Sequence, residues 1–183
     1  MSTLNKGICL FFGLLLSTLS IAQTKYITRS GILGFASSTA SFEPIIAENN
    51  TVTAVLDNDN GNIAILALVR GFRFPNALME EHFNENYAET DRFPKATFSG
   101  TILNFESINT QKQCAISGAL SFHGVTQQFQ NIIAYIEVNS NSIRLKGTFM
   151  ASVADFDIQI PKLVHKKISK DIEISFDLLF ENP

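Results

Sequence analysis

The sequence predicts an all-β fold: a single antiparallel barrel of about eight strands with one short helix covering a mouth. Three observations carry that expectation. Apolar and polar residues alternate with a two-residue period through the second half of the chain. One stretch, 71–102, interrupts the strand pattern with helical spacing. Gly100, Gly118 and Gly147 fall on the apolar parity of their strands, where a missing side chain lets a sheet curve. Two packed sheets would also satisfy the alternation; the glycines favour a closed one.

The chain opens with the pattern of a secretory signal peptide over residues 1–22. Lys6 supplies the basic start, 8–19 the apolar run, and Ser20-Ile21-Ala22 a small-x-small cleavage site before Gln23. A membrane anchor is the alternative, but the run is well short of the ~20 apolar residues that a spanning helix needs. Cys9 lies inside that run without the small-residue context of a lipid-attachment site. Removing the leader removes one charge, Lys6, so the net charge goes from −3 to −4. It also leaves Cys114 as the sole cysteine, so no disulfide can form within the chain.

The remaining 23–183 form one barrel domain without linker, repeat or low-complexity segment. At 45% hydrophobic and 17% charged residues it has material for a large core and no signature of disorder. No cluster of cations stands out, which argues against a nucleic-acid partner.

In chain order, 24–29 and 31–37 read as two short opening strands, with Gly31 and Gly34 allowing a bend. A strand over 45–56 follows, interrupted around Glu48-Asn49-Asn50. Residues 57–62, DNDNGN, form the clearest turn, since Asn, Asp and Gly tolerate positive φ. Asp57, Asp59 and Gly61 echo part of a calcium loop, but strands rather than helices flank it and the closing Glu is missing. Residues 63–69 are apolar on both parities, as in a strand covered on both faces.

Asn76 then caps a helix over 77–87, with Leu78, Met79, His82, Phe83 and Tyr87 apolar-facing and Glu80, Glu81 and Glu85 in water. Phe93-Pro94 ends it. Five alternating strands follow, carried by Ala96, Phe98 and Ile102; Cys114, Ile116, Leu120 and Phe122; Ile132, Ala134 and Ile136; Ile143, Leu145 and Phe149; and Ile172, Ile174, Phe176 and Phe180. Residues 158–169, with Pro161, Lys162, Lys166 and Lys167, read as a loop or short helical turn.

Three segments carry a family resemblance. HFNENYAETDRFPKATFSG at 82–100 resembles the signature of the YceI-like family of periplasmic and secreted proteins. GALSFHGVT at 118–126 is similar to that family's strand and turn G-x-L-T-x-H-G-V-T. ASVADFDI at 151–158 resembles its late D-F-G-I element, with Asp157 where the family usually has Gly. The resemblance covers roughly residue 24 to the end. It implies a lipocalin-like antiparallel barrel that holds a polyisoprenoid or another long-chain lipid, drawn from a membrane-derived donor, in the periplasm or outside the cell.

Catalysis would leave a polar constellation, and none is evident. His82, His123 and His165 are far apart in sequence. His82 and Glu85 share a helix face at i, i+3, where a metal could use both, yet no second ligand pair and no Cys-x-x-Cys accompanies them. No Gly-x-Ser-x-Gly elbow or Gly-rich phosphate loop is present. The expectation is a binding protein without cofactor, metal or enzymatic activity. Fourteen of the sixteen Phe lie after the leader, and several cluster around the helix. Such a set either fills a barrel solidly, as in a structural or interaction protein of the cell envelope, or lines a cavity.

With the resemblance, the expected lining or mouth residues are Phe72, Phe74, Leu78, Met79, His82, Phe83, Phe98, Gly118, Leu120, Phe122, His123 and Phe149, with Arg70 or Arg73 as further contacts for a headgroup. N-terminal sequencing of the exported protein is expected to read Gln23-Thr24-Lys25; retention of Lys6 would remove the extracytoplasmic assignment.

Overall fold

The computed structural model describes residues 25–37, 45–110, 112–160 and 169–182. The leader, His165 and the lysines of 161–168 lie outside them. Eight strands follow one another in order: β1 (Lys25–Ser37), β2 (Ile46–Asp57), β3 (Asn62–Leu68), β4 (Lys95–Ile102), β5 (Gln113–Phe122), β6 (Val125–Val138), β7 (Ser142–Ser152) and β8 (Asp171–Glu181). Each pairs antiparallel with the next, and β1 pairs with β8, so the sheet is a closed barrel rather than two packed layers.

Two early readings change. The opening segments are one strand, bent by register shifts on either side of Gly31. A Cβ at Gly31 would lie 2.6 Å from the Leu178 side chain of the neighbouring strand β8, so glycine is what lets β1 pack closely against it there. β2 likewise runs unbroken through Glu48-Asn49-Asn50. Its Asn49 is fully buried: Nδ2 donates to the Leu68 carbonyl at 2.9 Å, and Oδ1 accepts from Thr51 N and Oγ1 at 2.9 and 2.8 Å. The polar residues mark a stitch, not a break. Glu48 exchanges two backbone hydrogen bonds with Arg73, tying the chain beyond β3 to β2.

In the β2–β3 turn Asp57 Oδ1 accepts from Asp59 N, Gly61 has φ 73°, and the Gly61 carbonyl accepts from Ile102 N of β4. β3 departs from expectation on its outer face, where Leu66 and Leu68 are exposed instead of covered. The strand is apolar on both parities because β-branched and aliphatic residues suit a strand whichever way they point.

Connections sort to two ends. The far end carries the 57–62 turn, the 103–112 link and the 139–141 turn. There Leu56, Ile102, Cys114, Ile136, Ile143, Leu145, Leu178 and Phe180 pack into a solid core, closed by Ile108 of the 3-10 turn Phe105–Thr110. Burial pushes the Cys114 thiol up to about 11, so it behaves as a small apolar core residue. The opposite end carries 69–94, the 123–124 turn and the 3-10 turn Val153–Phe156. On the outer wall, Arg144 forks onto Asp177 of the neighbouring strand with two 2.7 Å hydrogen bonds, which hold the Asp177 carboxyl below its ordinary range.

Asn49→Ala should leave the Leu68 carbonyl without its donor and release Thr51. A loss of about 1–3 kcal/mol in urea-induced unfolding is expected; an unchanged midpoint would mean that the stitch is dispensable.

Candidate apolar cavity

The half of the barrel away from the solid core is hollow. A cavity of about 680 Å³ begins above Leu178 and Ile63 and reaches the helical end. Inward residues of the strands form its wall: Leu33 and Phe35 of β1, Ile65 of β3, Phe98 of β4, Ile116, Leu120 and Phe122 of β5, Ile132 of β6, Phe149 of β7, and Ile172, Ile174 and Phe176 of β8. Among the described residues that line it there is no Asp, Glu, Lys or Arg. Its size falls within the roughly 300–1,000 Å³ of ligand pockets.

The lid is built from 69–94. After β3 the chain makes a 3-10 turn, Val69–Gly71, and then the α-helix α1, Ala77–His82. Asn76 caps α1, its side chain accepting from Leu78 N at 2.9 Å and Met79 N at 3.4 Å. Glu80 faces back toward the entering chain, accepting from Phe74 N at 3.1 Å and from Arg73 at 2.7 Å, so it is a brace and not the free surface acid expected. The last turn widens into a π-turn, Phe83–Tyr87, in which Ala88 N donates to the Phe83 carbonyl at 2.8 Å. Met79, Phe83 and Tyr87, four residues apart, face the cavity together with His82. Phe83 packs with Phe35, Phe72 and Phe74 at centroid distances of 5.1–6.1 Å, joining lid to wall.

Nine of the twelve expected residues line this space: Phe72, Phe74, Met79, His82, Phe83, Phe98, Leu120, Phe122 and Phe149. Three do not. Leu78 is 58% exposed, because the cap and the Glu80 brace set α1 so that its 79–83–87 row points inward and 78 points away. Gly118 has the inward parity, but the Phe98 ring lies over it, and a Cβ there would lie 2.5 Å from the Ser99 carbonyl oxygen and 2.6 Å from Gly100 Cα. It is a point of close strand contact, not an opening. His123 is locked in place with φ 51°, its Nδ1 2.9 Å from the Phe156 carbonyl and its Nε2 2.9 Å from Glu89 Oε2, with Phe93 edge-on at 4.7 Å. It ties lid, β5–β6 turn and 153–156 turn together.

Arg70 and Arg73 are also engaged, with Asp91 and Glu80. Phe35, Tyr87, Phe156 and Phe176 are lining residues that the expectation omitted. Tyr87 had a signal, its four-residue step from Phe83. Phe35 had none, since β1 alternates poorly.

A model of the YceI-like domain matches residues 20–180. The chain belongs to the YceI-like family. Solved structures agree with this YceI-like fold: a polyisoprenoid binding domain from Saccharophagus degradans aligns at a TM-score of 0.75 and 14% identity, over 88% of this chain and 99% of that one. BcnA from Burkholderia cenocepacia aligns at 0.70 and 13%, over 81% and 95%. A Campylobacter jejuni YCEI protein aligns at 0.63 and 13%, over 80% and 90%. No curated protein matches the chain in sequence.

The YceI-like D-F-G-I element also gains a physical reading. Asp157 has φ 56°, the left-handed region where Gly is favoured and Asp is tolerated. For metal chemistry, no three His, Cys, Asp or Glu gather among the described residues. The His82 ring instead pairs with Asn86 at 3.2 Å, and Glu85 is exposed.

The Glu89 carboxyl is held below the ordinary carboxylate range, first by the hydrogen bond from Arg92 and then by that from His123. A depressed folded value means that its contribution to stability is complete above the unfolded value and is lost as pH falls through the folded one. Glu89→Gln should therefore melt below the wild type at neutral pH, with the gap closing as pH drops below about 4. A gap independent of pH would show that the carboxylate charge plays no part.

Proposed function

We propose that this chain is a binding protein which holds a polyisoprenoid or another long-chain lipid in the hollow half of its barrel, without catalysing a reaction. One observation carries the proposal: a cavity of about 680 Å³ with an apolar wall and no charged side chain among its described lining residues. Such a space is poorly matched to water or to a charged metabolite. An apolar chain entering it gains about 25 cal/mol per Å² of surface removed from water. Phe72, Phe74, Met79, Phe83, Phe98, Leu120, Phe122 and Phe149 supply the contacts.

Family membership supports this reading, as does the fold shared with a domain described as polyisoprenoid-binding. The leader pattern over 1–22 supports a periplasmic or secreted location, with membranes as the source of the lipid.

Native mass spectrometry of the protein purified from its own host is the test. A retained lipid of defined mass is expected, and Leu120→Trp, which adds bulk to the cavity wall, should lower the lipid-bound fraction while leaving the melting temperature within a few degrees. Wild-type protein that never carries an apolar ligand would overturn the proposal and favour a structural barrel.

A further inference from the structure

We propose that the floor of the cavity gauges the length of the bound chain. Leu178, Ile63, Ile116 and Ile132 stop it at about twenty carbons, roughly four isoprene units, and anything beyond that length stays uncovered. The inference rests on the lipid-binding reading above and adds to it the size of the chain and the residues that set it.

The boundary between open and solid runs level around the barrel. Along β8 it falls between Leu178, which lines the cavity, and Phe180, which does not. Along β5 it falls between Ile116 and Cys114, and along β7 between Phe149 and Leu145. Ile116 pairs with Ile132, and Leu178 with Leu145, so neighbouring strands change at one height.

The floor has nowhere to yield. Leu56, Leu145, Leu178 and Phe180 are fully buried, and Ile102 and Ile108 are packed into the same core. Leu178 is itself wedged, with Cδ2 only 2.6 Å from the Cβ that Gly31 lacks. Driving a chain deeper would force such side chains out of their rotamers.

Two measures of the space agree on a short occupant. From Leu178 to Ile172, β8 rises about 20 Å, which a barrel tilt of about 40° reduces to a depth of about 15 Å. An extended carbon chain advances about 1.3 Å per bond, so about twelve carbons reach from floor to lid. The volume of about 680 Å³ holds about twenty to twenty-five methylenes, each taking about the 30 Å³ share of a water. A chain of about twenty carbons therefore fills the cavity by bending once against the floor. Each further carbon would leave a bilayer without being covered by the protein, which costs about fourfold in transfer. Selection for short chains follows from where the packing stops.

The test measures displacement of the fluorophore N-phenyl-1-naphthylamine from delipidated full-length mature protein. The competitors are geraniol, farnesol, geranylgeraniol and geranylfarnesol, which share one hydroxyl head and are each one isoprene unit longer than the last. Wild type should gain about tenfold or more with each unit up to geranylgeraniol, and under about twofold from there to geranylfarnesol. Leu178→Ala and Ile116→Ala, which lower the floor, should each raise the geranylfarnesol-to-geranylgeraniol affinity ratio to about fivefold or more. Ile116→Phe, which raises it, should bring the geranylgeraniol-to-farnesol ratio down to about one. Each ratio is internal to one protein, so a general loss of folding cancels from it, and the wild-type series stands if a variant fails to fold. An undiminished gain at geranylfarnesol in wild type, a plateau already at farnesol, or unmoved ratios in all three variants would each overturn the gauge. A wild type that binds no prenol of any length defeats the lipid-binding reading beneath it.

Discussion

Pairing of β1 with β8 is the constraint on which the other features depend. A closed sheet has no free edge, so every strand must send alternate side chains into one shared interior. With eight strands that interior is small enough to be filled by side chains and large enough to be left partly open. Which outcome holds is decided level by level. At the far end Phe180, Leu178, Leu145 and Leu56 meet across the axis and the 103–112 link closes over them. Toward the lid, the inward rings of Phe35, Phe149 and Phe176 stay against the wall and leave the axis empty.

The lid depends on the same closure at second hand. Its two ends leave β3 and enter β4, neighbouring strands, so 69–94 must double back across the barrel end. It is held there by contacts of unlike kinds. Asn49 and the Glu48–Arg73 bridge fasten its start, rings of the Phe83 cluster its middle, and Glu89 with His123 its end. Polar residues that interrupt an apolar pattern in β2 are thus part of how the helix is seated.

Much of this was legible in the sequence because parity and helical spacing are local. Phe98, Leu120, Phe122 and Phe149 could be placed facing inward from their strands alone, and Asn76 could be read as a cap. What was hidden depended on partners distant in sequence. Leu78 and Met79 are equally apolar neighbours, and the Asn76 cap together with the brace from Glu80 to the Phe74 amide and Arg73 sets which of them turns inward. Gly118 shows the correct parity, yet the ring of Phe98 on the adjacent strand takes up the room that its missing side chain leaves. His123 resembles a mouth residue until Glu89 and Phe156 are seen to occupy both its nitrogens. Parity gives the direction of a side chain; it is silent on what already stands in that direction.

The solid end of the barrel has a kinetic meaning. Among the described residues the solid core closes the cavity at its far end, so the space opens only toward the helical end. A lid that opens more readily speeds filling and emptying together, while Met79, Phe83 and Tyr87, which the lid turns into the cavity, also enter its affinity for an occupant. In such a container the wall acts on affinity, and the cover acts on affinity and residence time alike.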